Sequence, residues 1–124
     1  MVLSTPAQAD DAEALAGQLG DVCAGVFTSA AMHTPVEVTE TAMKVVSETN
    51  ADCTLAFGGG STTGLGKAIA WRTDLPQFVI PTTYAGSEVT PILGQTENGV
   101  KTTLKSAKVL PEVVIYDPAL TLSL

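Results

Sequence analysis

Residues 53–67, CTLAFGGGSTTGLGK, decide the fold of this chain: a short apolar run ends in three glycines and continues as a helical pattern. The spacing predicts a buried strand over residues 53–57, a tight turn at Gly58, Gly59 and Gly60, and a helix from about Thr62 to Trp71. A helix start carries unpaired N–H groups and partial positive charge, so an anion there gains hydrogen bonds and favourable electrostatics together. The glycines remove Cβ atoms that would hold a phosphate away, and the Ser61 hydroxyl can cap the helix or donate to a ligand. The stretch is not a P-loop, which needs Gly in place of Ser61 and Ser or Thr in place of Ala68. It is not GxGxxG either, which needs Gly in place of Thr63. Read alone, it is a phosphate cradle or a Gly-rich turn that packs a helix closely on a sheet.

Outward from this stretch, βα units repeat. Val2 and Leu3 end a strand, and residues 6–19 form a helix with Ala12, Leu15, Ala16 and Leu19 on one face and Gly20 as its stop. Thr5-Pro6-Ala7-Gln8 has the Ser/Thr-x-x-Glu/Gln pattern of a capping box, and Thr34-Pro35-Val36-Glu37 repeats it before a helix facing inward through Val38, Ala42, Val45 and Val46. Residues 22–28 read as a buried parallel strand, as do residues 77–80. The latter runs into the small, polar loop Pro81-Thr82-Thr83-Tyr84-Ala85-Gly86-Ser87-Glu88, where ligands of open α/β sheets bind. Alternation from Ile92, a turn at Asn98-Gly99 and a return from Val100 to Leu104 predict a β-hairpin. Residues 112–116 are the last strand, and Asp117-Pro118 a turn. The expected fold is α/β: a mainly parallel, Rossmann-like sheet with helices on both faces and a β-hairpin insertion, in one domain of 124 residues.

Composition narrows the partners. A net charge of −7 with only six Lys and Arg argues against nucleic acid or an anionic membrane surface. A polyanionic ligand must then rely on backbone N–H groups. No run matches a membrane span and the first residues do not resemble a signal peptide, so the chain reads as cytoplasmic. Cys23 and Cys53 are expected to be buried thiols rather than a disulfide. His33 is the only histidine, which excludes a histidine-rich metal site built from this chain alone. It reads as a loop residue beside Pro35, with ligand or substrate contact as the alternative.

Taken together, Gly58-Gly59-Gly60-Ser61 with Lys67 six residues on, residues 81–88, and Val114-Ile115-Tyr116-Asp117-Pro118 with Leu120 resemble the iron-containing alcohol dehydrogenase superfamily. STTGLGKAIA, PTTYAGSEVTPI and KVLPEVVIYDPALTLSL are most similar to its maleylacetate reductase branch. The resemblance implies an NAD(P)-binding domain truncated at both ends, lacking an upstream β-segment and a C-terminal helical domain that supplies metal- or substrate-binding Asp and His positions. It implies NADH or NADPH as cofactor, with Gly59, Gly60 and Ser61 on the pyrophosphate. Thr82 and Thr83 would lie along the cofactor, Tyr84 and Ser87 near the nicotinamide, and Lys101 at a ribose hydroxyl. Thr82, Thr83 and Ser87 as turn hydroxyls, and Lys101 as a solvated hairpin residue, are the alternatives.

Many relatives carry Asp where this chain has Gly64. NAD-selective relatives commonly carry Asp where the first strand here finishes in Ser4 and Thr5. A carboxylate there would accept from a ribose 2′-hydroxyl and repel a 2′-phosphate, so the uncharged Ser4 and Thr5 predict tolerance of NADPH beside NADH. The activity implied is hydride reduction of a small dicarboxylate, maleylacetate, to 3-oxoadipate in aromatic degradation. A metal-dependent (Fe or Zn) alcohol dehydrogenase and a non-catalytic nucleotide-binding module are the other readings. Exposed apolar surface where a second domain would dock is expected to favour a homo-oligomer.

Overall fold

The computed structural model describes residues Met1–Leu124. Five parallel strands, β1 (Val2–Leu3), β2 (Val26–Phe27), β3 (Thr54–Gly58), β4 (Gln77–Pro81) and a last strand Val113–Val114, form one sheet. Its order is β2, β1, β3, β4, then the last strand. A short 3₁₀ turn, Pro6–Gln8, leads into helix α1 (Ala9–Leu19); α2 (Val36–Thr49) joins β2 to β3, and α3 (Gly60–Thr73) joins β3 to β4. The hairpin of β5 (Ile92–Glu97) and β6 (Val100–Lys105) stands apart as a two-stranded antiparallel sheet, and Val113–Val114 is therefore β7. From β1 the chain steps outward to the edge strand β2, then crosses back to lay β3 on the other side of β1. Where that direction reverses, the carboxyl ends of β1 and β3 lie side by side and their connections diverge, leaving a crevice.

Helices cover both faces. Leu65 and Ile69 of α3 and Ala42 and Val46 of α2 bury against Leu3 and Phe27 in the main core. On the opposite face, Ala14 and Leu15 of α1 border a groove with Phe57, Ile80 and Ile115, as the alternation of side chains along β3 requires. Helix α3 is buried continuously from Thr62 through Ala70, on more than the one face that packs on the sheet. The reason is a second cluster, in which Leu93 of the hairpin and Val109 of the 3₁₀ turn Ala107–Val109 pack on Ala68. Asn98 and Gly99 both take positive φ, 51° and 76°, as a two-residue hairpin turn of the right twist demands.

Several expectations need correction. The strand expected over residues 22–28 shrinks to Val26–Phe27, and Val22 sits in a 3₁₀ turn at 83 % exposure. The cause is β1, which offers only Val2 and Leu3 as rungs for the edge strand. Similarly, the strand expected over residues 112–116 pairs only at Val113 and Val114. Ile115 N–H still reaches the Val79 carbonyl at 2.8 Å before Tyr116 turns toward Glu88. Neither capping box forms. Gln8 directs its amide to Thr82 instead of its own helix, and Thr34, at φ 49°, leaves the N-cap position to Pro35. Cys23 and Cys53 are free thiols, half-buried rather than fully enclosed.

Leu93 is 1 % exposed and bridges the hairpin to α3. Leu93→Ala is expected to cost about 2–4 kcal/mol, read as a lowered urea midpoint; an unchanged midpoint would mean that the hairpin adds nothing to the core.

Candidate functional site

The turn out of β3 has no space for side chains. Gly58 adopts φ 153°, and a Cβ there would meet Thr62 Oγ1 at 2.5 Å and Gln8 Oε1 at 2.7 Å. A Cβ on Gly59 would lie 2.9 Å from Thr83 Cγ2. The loop after β4 is laced to this turn: Thr82 N–H donates to the Gly58 carbonyl at 2.9 Å, and Gln8 Nε2 donates to Thr82 Oγ1 at 3.0 Å. Gly59 is the N-cap of α3 and no side chain caps the helix. The first-turn N–H groups therefore remain for an anion.

Two clefts open on either side of the turn. One, of about 400 Å³, is lined by Thr5, Gln8, Asp11, Gly59, Thr82 and Thr83. The other, of about 360 Å³, is lined by His33, Thr34, Gly60, Ser61, Ser87 and Lys101, with Lys67 and Gly64 at its base. The residues singled out from the sequence are thus divided between the two clefts. Ser4 stands outside both, fully buried with its hydroxyl donating to the Thr5 carbonyl at 2.9 Å. Thr5, two residues past β1, lines the first cleft instead. Tyr84 lies in a third hollow with Thr83 and Tyr116, 80 % exposed, its hydroxyl 2.8 Å from Thr121 Oγ1. Lys101 reaches its cleft along β6, its chain passing over Gly94, where an added Cβ would lie 2.9 Å from Lys101 Cε.

Asp11 has no sequence signal that marks it, and the capping patterns containing Gln8 and Thr34 point to helix starts rather than to a cleft; the placement of α1 and of the residue 31–35 loop brings all three to the clefts. Lys67 has a signal: its fixed spacing after Ser61. Its ammonium is 1 % exposed and donates to the Thr90 carbonyl at 2.9 Å, Thr90 Oγ1 at 3.0 Å and the Ile92 carbonyl at 2.8 Å. These bonds clamp the segment after Ser87 onto α3. Burial pulls the Lys67 pKa down from 10.5 to about 8, partly opposed by the nearby Glu88 carboxylate. No group of three or more His, Cys, Asp or Glu side chains is placed to hold a metal ion, and no helix is long and apolar enough to cross a membrane.

A parallel sheet with a switch point, a side-chain-free turn and an uncapped helix start beside it define a doubly wound α/β domain of Rossmann-like type. The chain belongs to the iron-containing alcohol dehydrogenase family, whose model matches residues 1–118. Over its whole length it is 71 % identical to a maleylacetate reductase of Rhizobium sp. strain MTP-10005 and 60 % identical to one of Sphingobium indicum, spanning 35 % of each. The crystal structure of maleylacetate reductase from Agrobacterium tumefaciens superposes with a TM-score of 0.98 at 71 % identity, over 99 % of this chain and 35 % of that one. Sulfoacetaldehyde reductase from Bifidobacterium kashiwanohense, solved in complex with NAD+, superposes with a TM-score of 0.83 at 27 % identity, over 97 % of this chain and 38 % of that one. The chain thus spans about a third of the length of these relatives.

Lys67→Met removes all three donors and leaves their acceptors unpaired, which is expected to cost about 2–4 kcal/mol. Between the folded pKa of about 8 and the 10.5 of an exposed lysine, the unfolded chain binds more protons than the folded one. The Lys67 contribution to stability therefore rises with pH across that window. Urea midpoints at pH 7.5 and 9.5 should show the gap between wild type and Lys67→Met widening; a gap that narrows contradicts this account.

Proposed function

We propose that this chain holds a nicotinamide dinucleotide across the glycine turn, as the cofactor-binding part of a maleylacetate-reductase-type oxidoreductase. The observation that carries this reading is the uncapped α3 start at the β1/β3 switch point, with a cleft on each side of a turn whose Gly58 and Gly59 leave no room for a Cβ. The pyrophosphate takes the N–H groups of Gly59, Gly60 and Ser61 and the Ser61 hydroxyl. The adenosine half takes the cleft of Thr5, Thr82 and Thr83, and the nicotinamide half the cleft of Ser87 and Lys101, with Lys101 on a ribose hydroxyl. Tyr84 borders the opening beside Thr83.

The bound cofactor supplies a hydride to the conjugated double bond of maleylacetate, and a proton completes its conversion to 3-oxoadipate. This chain's residues orient the dinucleotide and exclude side chains from the phosphate path. Supporting this choice of substrate are the names borne by the relatives at 71 % and 60 % identity.

Thr5 carries no charge, and the only carboxylate in the adenosine cleft is the exposed Asp11 on α1. NADH and NADPH are expected to bind with dissociation constants within about tenfold of each other, with Asp11→Asn narrowing the difference. Calorimetric titration with each nucleotide checks this. A hundredfold preference for NADH overturns the tolerance of NADPH, and no binding of either at millimolar concentration overturns the cofactor reading itself.

A further inference from the structure

The cleft beside Ser61 has a feature that a dinucleotide site alone does not require. Its far wall is the loop of His33 and Thr34, two consecutive non-glycine residues at φ 67° and 49°. Left-handed backbone is costly for a β-branched residue and persists only where neighbours impose it. Here they do: Thr96 Oγ1 donates to the His33 carbonyl at 2.9 Å, Thr96 N–H to the Thr34 carbonyl at 3.0 Å, and Thr34 N–H to the Ala31 carbonyl at 3.3 Å. The hairpin strand β5 thus fixes a strained loop against the mouth of α3.

The strain has a product. Thr34 is 7 % exposed, yet its hydroxyl is spent on no intramolecular hydrogen bond and lies against Gly64 at the base of the cleft. Any Cβ at Gly64 would collide with Thr34 Oγ1. The absence of a side chain at residue 64 is what gives the hydroxyl its place. Around it, no carboxylate lines the cleft, whereas His33, Lys67 and Lys101 do. Three of the seven Lys, Arg and His side chains of a chain with net charge −7 therefore converge on one hollow. Two lysines and an imidazole, with an unbonded hydroxyl beneath them, suit a compact anion.

We propose that the Thr34 and His33 loop, with Gly64 beneath it, is a carboxylate-recognition site for the organic acid that receives the hydride. The inference rests on the cofactor reading above, since it places the acid beside the nicotinamide half of the dinucleotide. Thr34 Oγ1 donates to one carboxylate oxygen, His33 offers an imidazole N–H, and Lys101 supplies the facing positive charge. Thr34 and His33 are then specificity-determining residues for a mono- or dicarboxylate over an uncharged carbonyl compound.

The test uses the natural polypeptide that carries this chain and two independent readouts. Adipate serves as an unreactive dicarboxylate in calorimetry without cofactor, and NADH affinity is measured separately by fluorescence. Thr34→Val keeps the shape and removes the hydroxyl, Gly64→Ala fills its place, His33→Gln removes the imidazole, and Thr34→Ser restores a donor. Thr34→Val and Gly64→Ala should each weaken adipate at least tenfold and His33→Gln about fivefold, while Thr34→Ser stays within threefold of wild type. NADH dissociation constants should stay within threefold throughout. Unchanged adipate binding in Thr34→Val, absent adipate binding in wild type, or loss of NADH affinity in parallel each overturns the carboxylate site. Failure of the wild type to bind NADH overturns instead the reading on which it rests.

Discussion

The absence of space at the end of β3 is the constraint on which the site depends. Gly58 and Gly59 must pass between Thr62, Gln8 and Thr83 with no side chain of their own. This brings the carboxyl end of β3 and the start of α3 into contact with the residue 82–83 loop. The Thr82 to Gly58 backbone bond and the Gln8 to Thr82 side-chain bond then close the arrangement from two directions. A rigid, side-chain-free helix start is what an anion requires, because its N–H groups are fixed before the ligand arrives.

Helix α3 serves as the common support. One side of it packs on the sheet through Leu65 and Ile69, and the other on the hairpin through Ala68 and Leu93. Burial on both sides explains why its sequence lacks a clear polar face. Lys67 is the exception that this burial must accommodate. Its ammonium lies deep in the structure but finds three oxygens on the segment that leads from Ser87 to the hairpin. An unpaired buried charge would be strongly destabilising; a fully donated one acts as a clamp. The hairpin in turn braces the His33 and Thr34 loop through Thr96, so support passes from α3 through Lys67 to the far wall of the cleft.

Much of the fold was legible before the structure because βα periodicity is local. The glycine turn, the Asn98-Gly99 hairpin and three helices all follow from spacing and turn chemistry. Failures fell where a partner sets the outcome. The run around Val22 is apolar, but β1 offers no rungs to keep it extended. Thr5 and Gln8 spell a capping box, but Thr82, far along the chain, competes for the Gln8 amide and wins. Of the residues around the two clefts, Gly59 to Ser61 were visible from their motif, Asp11 was not marked at all, and Thr34 was marked only as a helix cap, a role that its backbone does not take.

The sequence by itself determined the order of strands and helices, the glycine turn, and the family to which the chain belongs. Periodicity, turn residues and three motifs in fixed order are properties of the chain read along its length. Only the tertiary structure decided which residues share a cleft. It divided the chosen residues among separate hollows, withdrew Ser4 into the interior, set Thr34 against Gly64, and turned Lys67 to Thr90 and Ile92. The physical reason is that a cleft is made from the ends of elements distant in sequence. Their meeting is set by how α1, α3 and the hairpin pack on the sheet, which no local pattern encodes.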